Sequence, residues 1–217
     1  MAQYFRFLIM GPPGSGKGTI SSRIVGDFNL SYVSSGDVLR SHILHKTKEG
    51  LEAKNYIEKG KLVPDELVSN LVLEKVKLLS DKNWLLDGFP RTAAQADMLS
   101  AICDIKRAIS LDVPDEIIVS RLKGRWLHLP SGRIYNLEFN PPKVPGKDDI
   151  TGESLVQRDD DKPDVVLARL SNYRKENSPV LEYYRKKMLL QEFTGKESNE
   201  IWPRIKLYLE KIMKDAT

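Results

Sequence analysis

The sequence has very little cysteine and histidine, and it has no long apolar stretch. Its 217 residues include a single cysteine, Cys103, and 3 histidines. One cysteine excludes an internal disulfide and a zinc site built from several cysteines, and its apolar neighbours predict a small buried side chain. No run approaches the roughly 18 apolar residues that span a bilayer, so we expect no membrane partner. The first apolar segment begins at Tyr4, which leads us to expect no cleavable presequence.

The chain also lacks a strong charge of either sign. Lys and Arg number 34 against 30 Asp and Glu, for a net charge of +4 and a pI of about 9.0. The basic residues are spread along the chain rather than clustered, so we expect no nucleic-acid partner. A mild positive excess suits a cleft for a small anionic substrate. The length fits one compact body that carries insertions.

Short apolar segments alternate with helical patterns along most of the chain. The segments that resemble strands are Tyr4–Met10, Trp84–Asp87, Ala108–Val113 and, more weakly, Leu189–Phe193. Apolar residues recur at helical spacing in Lys17–Asp27, Asp115–Leu122 and Ile201–Met213. This alternation predicts an α/β fold in which helices flank a parallel sheet on both faces.

Two stretches interrupt the alternation. Ser34–Val63 is polar and helical, with no strand of its own, whereas Gly124–Asp161 is rich in Gly, Pro and Asp and holds short strand-like pieces such as Arg133–Asn136. An insertion of that length in a compact domain is usually a functional lid or a small subdomain.

A glycine-rich loop follows the first strand. Its sequence is Gly11-Pro12-Pro13-Gly14-Ser15-Gly16-Lys17-Gly18-Thr19, and it opens a helix. Glycines let backbone N–H groups curl around phosphate oxygens, and the helix N-terminus adds partial positive charge. Lys17 then reaches the β- and γ-phosphates. Because Gly18 follows Lys17 and the hydroxyl comes only at Thr19, direct ligation of Mg²⁺ by this loop is less well supported.

Arginines follow strand ends and insertion edges, where open α/β sheets bind ligands. Arg40 lies in Ser35–Arg40, and Arg91 closes the segment Asp87–Arg91 after a strand. Four more flank or follow the second insertion: Arg121, Arg125, Arg158 and Arg169. Each one alone is typical of a solvated surface, but together they suit phosphoryl transfer, which requires positioning and charge neutralisation.

These motifs together resemble the long-form adenylate kinases over essentially the whole chain. The motifs that carry the resemblance are Gly11–Thr19, Ser34–Asp37, Gly60–Val63, Asp87–Arg91 and Arg158–Asp161. Trp202-Pro203 and Arg125–His128 are most similar to the mitochondrial GTP:AMP phosphotransferases of that family. The resemblance implies a core of residues 1–33, 64–123 and 162–217, an AMP-binding insertion of residues 34–63 and a lid of residues 124–161.

The resemblance also implies roles for individual residues. Lys17, Arg91, Arg121, Arg125, Arg158 and Arg169 would be catalytic. The donor nucleotide would contact Gly14, Ser15, Gly16, Lys17, Gly18, Thr19, Arg121, Tyr135, Gly195 and Lys196. AMP would contact Ser35, Arg40, Ile57, Lys61, Val63, Gly88, Arg91, Gln95, Arg158 and Arg169. Asp87 would organise the Mg²⁺ cofactor through water, with Asp160 or Asp161 serving the metal or lid closure.

The lid matches positions that hold zinc in some members of the family. Here those positions are His128, Ser131, Asp148 and Thr151. Such a set is a poor tetrahedral zinc site, so we expect a hydrogen-bonded network and no structural zinc.

The resemblance implies reversible, Mg²⁺-dependent transfer of the γ-phosphoryl group of GTP or ATP to AMP by a monomer in the mitochondrial matrix, and the cytoplasm is the alternative compartment. An adenylate kinase that prefers ATP is one alternative. A kinase for UMP or CMP is another, although the long lid is atypical of it. A catalytically silent nucleotide-binding interaction protein is a third.

Overall fold

The computed structural model describes residues 4–58, 63–157, 161 and 163–215, except the side chains of residues 57, 58, 163, 164 and 169. The strands are β1 (Arg6–Met10), β2 (Ser31–Ser34), β3 (Trp84–Asp87), β4 (Arg107–Asp112), β5 (Arg125–Leu127), β6 (Ile134–Asn136) and β7 (Leu190–Thr194). The helices are α1 (Lys17–Phe28), α2 (Ser35–Leu44), α3 (Lys48–Glu58), α4 (Asp65–Lys77), α5 (Ala93–Ser100), α6 (Asp115–Lys123), α7 (Pro163–Lys186) and α8 (Ser198–Lys214).

Five strands form one parallel sheet in the order β2-β3-β1-β4-β7. Their carboxyl ends are in register: Asp87 of β3 pairs with Ile9 of β1 and Ser34 of β2, and Asp112 of β4 pairs with Thr194 of β7. The loops that follow β2 and β3 therefore leave one half of the carboxyl edge, and the loop that follows β7 leaves the other half. The phosphate loop follows the central strand, β1.

The sheet is apolar on both faces, as expected for parallel strands covered by helices. On one face, Leu8, Trp84 and Leu86 belong to a buried cluster that also contains Val180 and Tyr184 of α7. Helix α8 is strongly amphipathic and buries Ile201, Ile205, Leu209 and Ile212, which recur at helical spacing. Cys103 is half-buried and packs against the buried cluster that contains Leu8 and Trp84. Burial raises the pKa of its thiol to about 11.

The chain divides into two compact units. One, here called the sheet unit, contains Met1–Gly11, Gly16–Asp112 and Lys175–Thr217. The other, the lid unit, contains Pro12–Ser15 and Val113–Arg174. Within the lid unit, β5 and β6 form an antiparallel hairpin, and the backbone of Leu127 also bridges to Val156.

The predicted α/β class is confirmed, and each strand and helix predicted with bounds is present within a few residues of them. The prediction that Ser34–Val63 holds no strand is wrong at its first residue, because Ser34 ends β2. The sequence pattern assigned no bounds to β2, α4, α5 or α7. None of the described helices is both long and apolar enough to span a membrane. The division into core, AMP-binding insertion and lid remains a prediction.

Candidate active site

The part of the phosphate loop that lies in the sheet unit combines left-handed glycines with an uncapped helix start. Gly16 precedes α1 with φ +89°, and the start of α1 has neither a side-chain cap nor an acidic residue in its first turn. The first N–H groups of α1 are thus suited to bind an anion. A Cβ on Gly18 would meet nothing within 4 Å, so this exposed position leaves room for a phosphate. The Lys17 ammonium donates to the carbonyl of Gly11 at 2.6 Å.

The remaining residues of the loop pack within the lid unit. Gly14 has φ +80°, and a Cβ there would lie 2.8 Å from Leu122 Cγ and 3.0 Å from Ile118 Cγ2 of α6. Arg121 of the same helix donates to the carbonyl of Gly14 at 3.4 Å. The Ser15 hydroxyl is buried without a hydrogen-bond partner. Only glycine fits position 14, because both the backbone and the packing exclude a side chain.

A network that we call the acceptor cluster joins the carboxyl ends of β2 and β3 in the sheet unit. It consists of Ser35, Asp65, Gly88, Arg91, Thr92 and Gln95. The carbonyl of Gly88 accepts from Ser35 Oγ at 2.8 Å and from Arg91 Nε at 2.9 Å. Gly88 has φ +77°, and a Cβ there would lie 2.8 Å from Ser35 Oγ. The cluster therefore requires glycine at this position and sets the direction of the exposed Arg91 side chain.

Gln95 forms the buried frame of the acceptor cluster. Its side-chain oxygen accepts from the Arg91 backbone N–H at 2.8 Å, and its amide donates to Asp65 at 2.8 Å. Thr92 donates to the same carboxylate at 2.6 Å and caps α5. Each end of the Gln95 amide keeps one further hydrogen-bonding position. Its predicted contact with the AMP base therefore competes with a structural role and remains a prediction.

The structure describes the other residues predicted to bind AMP or Mg²⁺ to different extents. Arg40 forms an exposed ion pair with Asp37 on α2. Asp87 accepts from the Tyr32 hydroxyl at 2.9 Å, and burial together with this carboxylate raises the pKa of Tyr32. Val63 is half-buried. Lys61, Arg158, Asp160 and the side chains of Ile57 and Arg169 lie outside the described residues.

The loop after β7 leaves the same carboxyl ends of the strands, but on the side of the sheet farthest from β2. The Gly195 N–H donates to the carbonyl of Asp112 at 3.2 Å, and a Cβ on Gly195 would lie 2.7 Å from Ile201 Cγ1. Lys196 N–H donates to the Glu200 carboxylate at 2.9 Å. Gly195 and Lys196, which were predicted to contact the donor nucleotide, are thus held against β4 and α8 by their backbone N–H groups.

Two predicted arginines of the lid unit already have partners. Arg125 makes a two-pronged ion pair with the buried Asp161, in which Nε lies 2.7 Å from Oδ2. The Arg121 guanidinium lies 5.6 Å from the centre of the exposed Phe139 ring and forms a cation–π contact with it. Asn136 donates to the carbonyl of Arg121 at 2.8 Å. Arg121 is thus positioned by α6 and by the β-hairpin.

A second network, here called the lid cluster, fills the interior of the lid unit. It consists of His128, Ser131, Arg133, Tyr135, Asp148, Thr151 and Glu153. Asp148 accepts from Arg133 at 2.6 and 2.8 Å, from the Tyr135 hydroxyl at 2.9 Å and from the Thr151 hydroxyl at 3.0 Å. His128 Nδ1 lies 2.6 Å from Ser131 Oγ, and Nε2 lies 2.6 Å from a Glu153 oxygen. The hydrogen bonds from Arg133 hold the pKa of Asp148 well below its usual range.

The lid cluster contains the four positions that the sequence analysis assigned to a network. Within the described part of the chain, no group of three or more His, Cys, Asp and Glu side chains is arranged to hold a metal ion. Tyr135, predicted to contact the donor nucleotide, is buried here with its hydroxyl on Asp148. A hydrogen bond donated by this hydroxyl to the donor nucleotide would have to replace that bond.

Several residues of these sites were missed by sequence reasoning. Thr92 was missed, although its spacing from Gln95, which was predicted to contact AMP, is that of a helix capping box, a local signal that identifies their pairing. Asp65, by contrast, lies 30 residues before Gln95, and no local pattern connects the two. Arg133, directly before β6, and Glu153 join the lid cluster from loop positions that have no distinguishing motif.

The parallel sheet, the phosphate loop on its central strand and the polar sets at its carboxyl edge define a P-loop nucleotide-binding α/β enzyme. A model of the adenylate kinase family matches residues 9–189. The chain is 50% identical over 205 residues to the mitochondrial GTP:AMP phosphotransferase of Drosophila melanogaster, covering 94% of this chain and 95% of that protein. It is 44% identical over 210 residues to the protein of the same name from Saccharomyces cerevisiae, covering 92% of this chain and 90% of the other.

The chain belongs to the adenylate kinase family. The predicted enzyme class, a nucleoside monophosphate kinase, is confirmed by this membership. The names of the relatives also support the predicted mitochondrial localisation.

Proposed function

We propose that the protein transfers the γ-phosphoryl group of GTP to AMP, reversibly, and so forms GDP and ADP. The observation that carries this proposal is the separation of two polar sets along one sheet edge. The acceptor cluster follows β2 and β3, and the loop at residues 195–197 follows β7 and leads into α8. The names of the relatives supply the identities of the two nucleotides.

AMP binds on the β2–β3 side in this proposal. Arg40 and Arg91 are exposed cations on the same side of the sheet, and a guanidinium binds a phosphate through two parallel hydrogen bonds. Ser35 and Gly88 shape the floor, and Gln95 reads the base edge with the hydrogen-bonding positions that remain. Ile57 contributes from the last turn of α3, and Lys61 and Val63 contribute from the residues between α3 and α4.

The donor nucleotide binds through the phosphate loop. The N–H groups at the start of α1 and the Lys17 ammonium hold its phosphates, helped by the partial positive charge of the helix N-terminus. Gly14, Ser15, Gly16, Gly18 and Thr19 form the rest of the cradle. Arg121, Tyr135, Gly195 and Lys196 contribute to the remainder of the donor site.

In the transfer step, an oxygen of the AMP phosphate attacks the γ-phosphorus, and the bond from that phosphorus to the β,γ-bridging oxygen breaks. The electron pair of the broken bond remains on the GDP that leaves. Charge on the transferring group is neutralised by Lys17, Arg91, Arg121, Arg125, Arg158 and Arg169. Positioned cations of this kind supply most of the catalysis in phosphoryl transfer.

The residues present fit a nucleotide-bound Mg²⁺. Asp87 is a half-buried carboxylate at the carboxyl end of β3, and the Tyr32 hydroxyl orients one of its oxygens. Asp87 would hold the ion through water ligands, which suits the reluctance of Mg²⁺ to lose its hydration shell. When bound there, Mg²⁺ would offset the negative charge of the donor phosphates.

We propose guanine as the donor base, with carbonyl or carboxylate oxygens around residues 194–197 accepting from its N1–H and N2–H groups. Adenine lacks these two donors, so its entry would leave polar groups unpaired. An adenylate kinase that prefers ATP is the second candidate, and the shared family model supports it. We also propose the mitochondrial matrix as the compartment and a monomer as the active form.

Steady-state assays with the purified protein test this proposal. AMP is held constant while GTP and ATP are compared as donors, and UMP and CMP are compared with AMP as acceptors. We expect kcat/KM to be higher with GTP than with ATP, and highest with AMP among the acceptors. A Lys17→Ala variant is the control for a contaminating kinase. A preference for ATP supports the second candidate, equal use of both donors contradicts the proposed GTP preference, and no product at all supports a silent nucleotide-binding protein.

A further inference from the structure

Arg23 of α1 contacts the beginning of α8, although neither the phosphate loop nor the acceptor cluster involves it. Its Nη2 donates to the side-chain oxygen of Asn199 at 2.6 Å, and its Nη1 donates to the carbonyl of Ser198 at 3.4 Å. Ser198 and Asn199 are the first residues of α8, directly after the loop that leaves β7. The helix that begins at the phosphate loop thus holds the end of the loop at the donor side of the sheet.

The contact fixes the orientation of the Asn199 amide. A guanidinium has only donors, so the side-chain oxygen of Asn199, and not its nitrogen, must face Arg23. The amide NH₂ group is therefore turned away from Arg23, on an exposed residue. Asn199 presents a hydrogen-bond donor at this edge for as long as Arg23 holds its oxygen.

Stabilisation of α8 does not explain the position of Arg23. The amino end of a helix carries partial positive charge, which disfavours a cation. Glu197, which precedes α8, makes no capping hydrogen bond through its side chain. A second contact between the same helices, Lys206 with Asp27 at 2.6 Å, joins their exposed surfaces farther along α8. That pair serves helix packing without approaching the loop.

We propose that Asn199 selects guanine by donating from its amide NH₂ group to O6 of the donor base, and that Arg23 is the positioning residue that keeps this donor outward. This inference rests on the proposed function, in which the donor base lies beside residues 194–199. Guanine presents an acceptor at O6, whereas adenine presents the N6 amino donor at the equivalent position. An outward amide NH₂ therefore pairs with guanine and opposes adenine.

Two substitutions test the two roles separately. Asn199→Asp keeps a partner for Arg23 but turns a donor into an acceptor, so the ratio of kcat/KM for GTP to that for ATP should fall by about tenfold or more. Arg23→Gln lets the Asn199 amide flip, because glutamine both donates and accepts, and the same ratio should fall several-fold. KM for AMP should stay within twofold in both variants.

Two controls exclude a general effect on folding or on the phosphate loop. Lys206→Gln breaks the neighbouring contact between α1 and α8 and should leave the GTP/ATP ratio unchanged. Inorganic tripolyphosphate, which has no base, should inhibit all variants with the same Ki as the wild type.

The outcomes separate this inference from the proposed function. A wild-type ratio near one contradicts the GTP preference, whereas the inference depends on how the ratio changes between proteins. An unchanged ratio in Asn199→Asp would overturn it. An equal change of the GTP/ATP ratio in Lys206→Gln would also overturn the inference. So would a change in the tripolyphosphate Ki that accounts for the loss of GTP activity in Arg23→Gln.

Discussion

The acceptor cluster and the lid cluster use similar polar residues, but they differ in where their charges face. In the lid cluster, the central groups are buried, with His128 at 1% and Asp148 at 2% exposure, and their hydrogen bonds join members of the cluster. In the acceptor cluster, the neutral amide of Gln95 is buried at 2% exposure, while the charged side chain of Arg91 is exposed. A cluster that pairs its own charges stabilises a fold, whereas one that orders an exposed cation is suited to bind an anion.

The largest expected effect is on the exposed cation of the acceptor cluster. Arg91→Ala should lower kcat/KM for AMP by at least about 10²-fold, because it removes a positioned charge from the proposed phosphate site. The melting temperature should change little, since the side chain is at the surface. Arg185→Ala is the matched control, because Arg185 is an exposed arginine of the same unit that pairs with the surface residues Glu182 and Glu192. If both variants lost activity equally, the distinction between the clusters would fail.

The next effect concerns the buried carboxylate of the lid cluster. Asp148→Asn should lower the melting temperature by several degrees and leave KM for AMP near the wild-type value, because Arg133 and Tyr135 lose their shared anionic acceptor. Asp149→Asn is the control at the adjacent exposed carboxylate, whose accepted bond from Lys143 N–H an amide oxygen can keep. A variant with normal stability and a raised KM for AMP would reverse the assignments of the clusters.

The stability of the protein should depend on pH through the same carboxylate, Asp148. The pKa of Asp148 is lowered in the folded protein, so its contribution is present above the unfolded pKa of about 4 and is lost as the pH falls toward the folded value. The difference in melting temperature between wild type and Asp148→Asn should therefore narrow as the pH is lowered from 7 to 3. A difference that stays constant across this range would show that Asp148 is not stabilising as an anion.

The smallest effect concerns the frame of the acceptor cluster. Asp65→Ala removes the acceptor of Gln95 and Thr92, which should cost about 1 kcal/mol of unfolding free energy. KM for AMP should rise a few-fold, because Arg91 loses part of its support. Glu66→Ala removes the neighbouring carboxylate of the first turn of α4 and controls for the helix dipole. Identical results for the two variants would remove Asp65 from the cluster.

The sequence predicted the parts of the fold that local patterns determine. Apolar runs that end at glycine or proline identified β1, β3 and β4, and helical spacing identified α1, α6 and α8. Helix α7 was missed, since it is largely polar and contains Pro179. Strand β2 was missed because it has only four residues and a single fully buried one, Val33.

The candidate sites were predictable only where a motif or a family resemblance identified the residues. The phosphate loop is a contiguous motif, so its glycines and Lys17 could be assigned their chemistry directly. Contacts such as Gln95 with Asp65, or Arg23 with Asn199, join residues far apart in the chain. Their pairing depends on the packing of helices, which no local pattern specifies.

Hydrogen exchange with one nucleotide bound at a time tests most directly the claim that the acceptor and the donor occupy opposite halves of the sheet edge. AMP alone should protect the amides of Ser35–Arg40 and Gly88–Gln95, whereas a non-hydrolysable GTP analogue alone should protect Lys17–Ile20 and Gly195–Asn199. A dinucleotide that joins guanosine to adenosine through phosphates should protect both sets. Protection of Gly195–Asn199 by AMP alone, with none at Gly88–Gln95, would contradict the account.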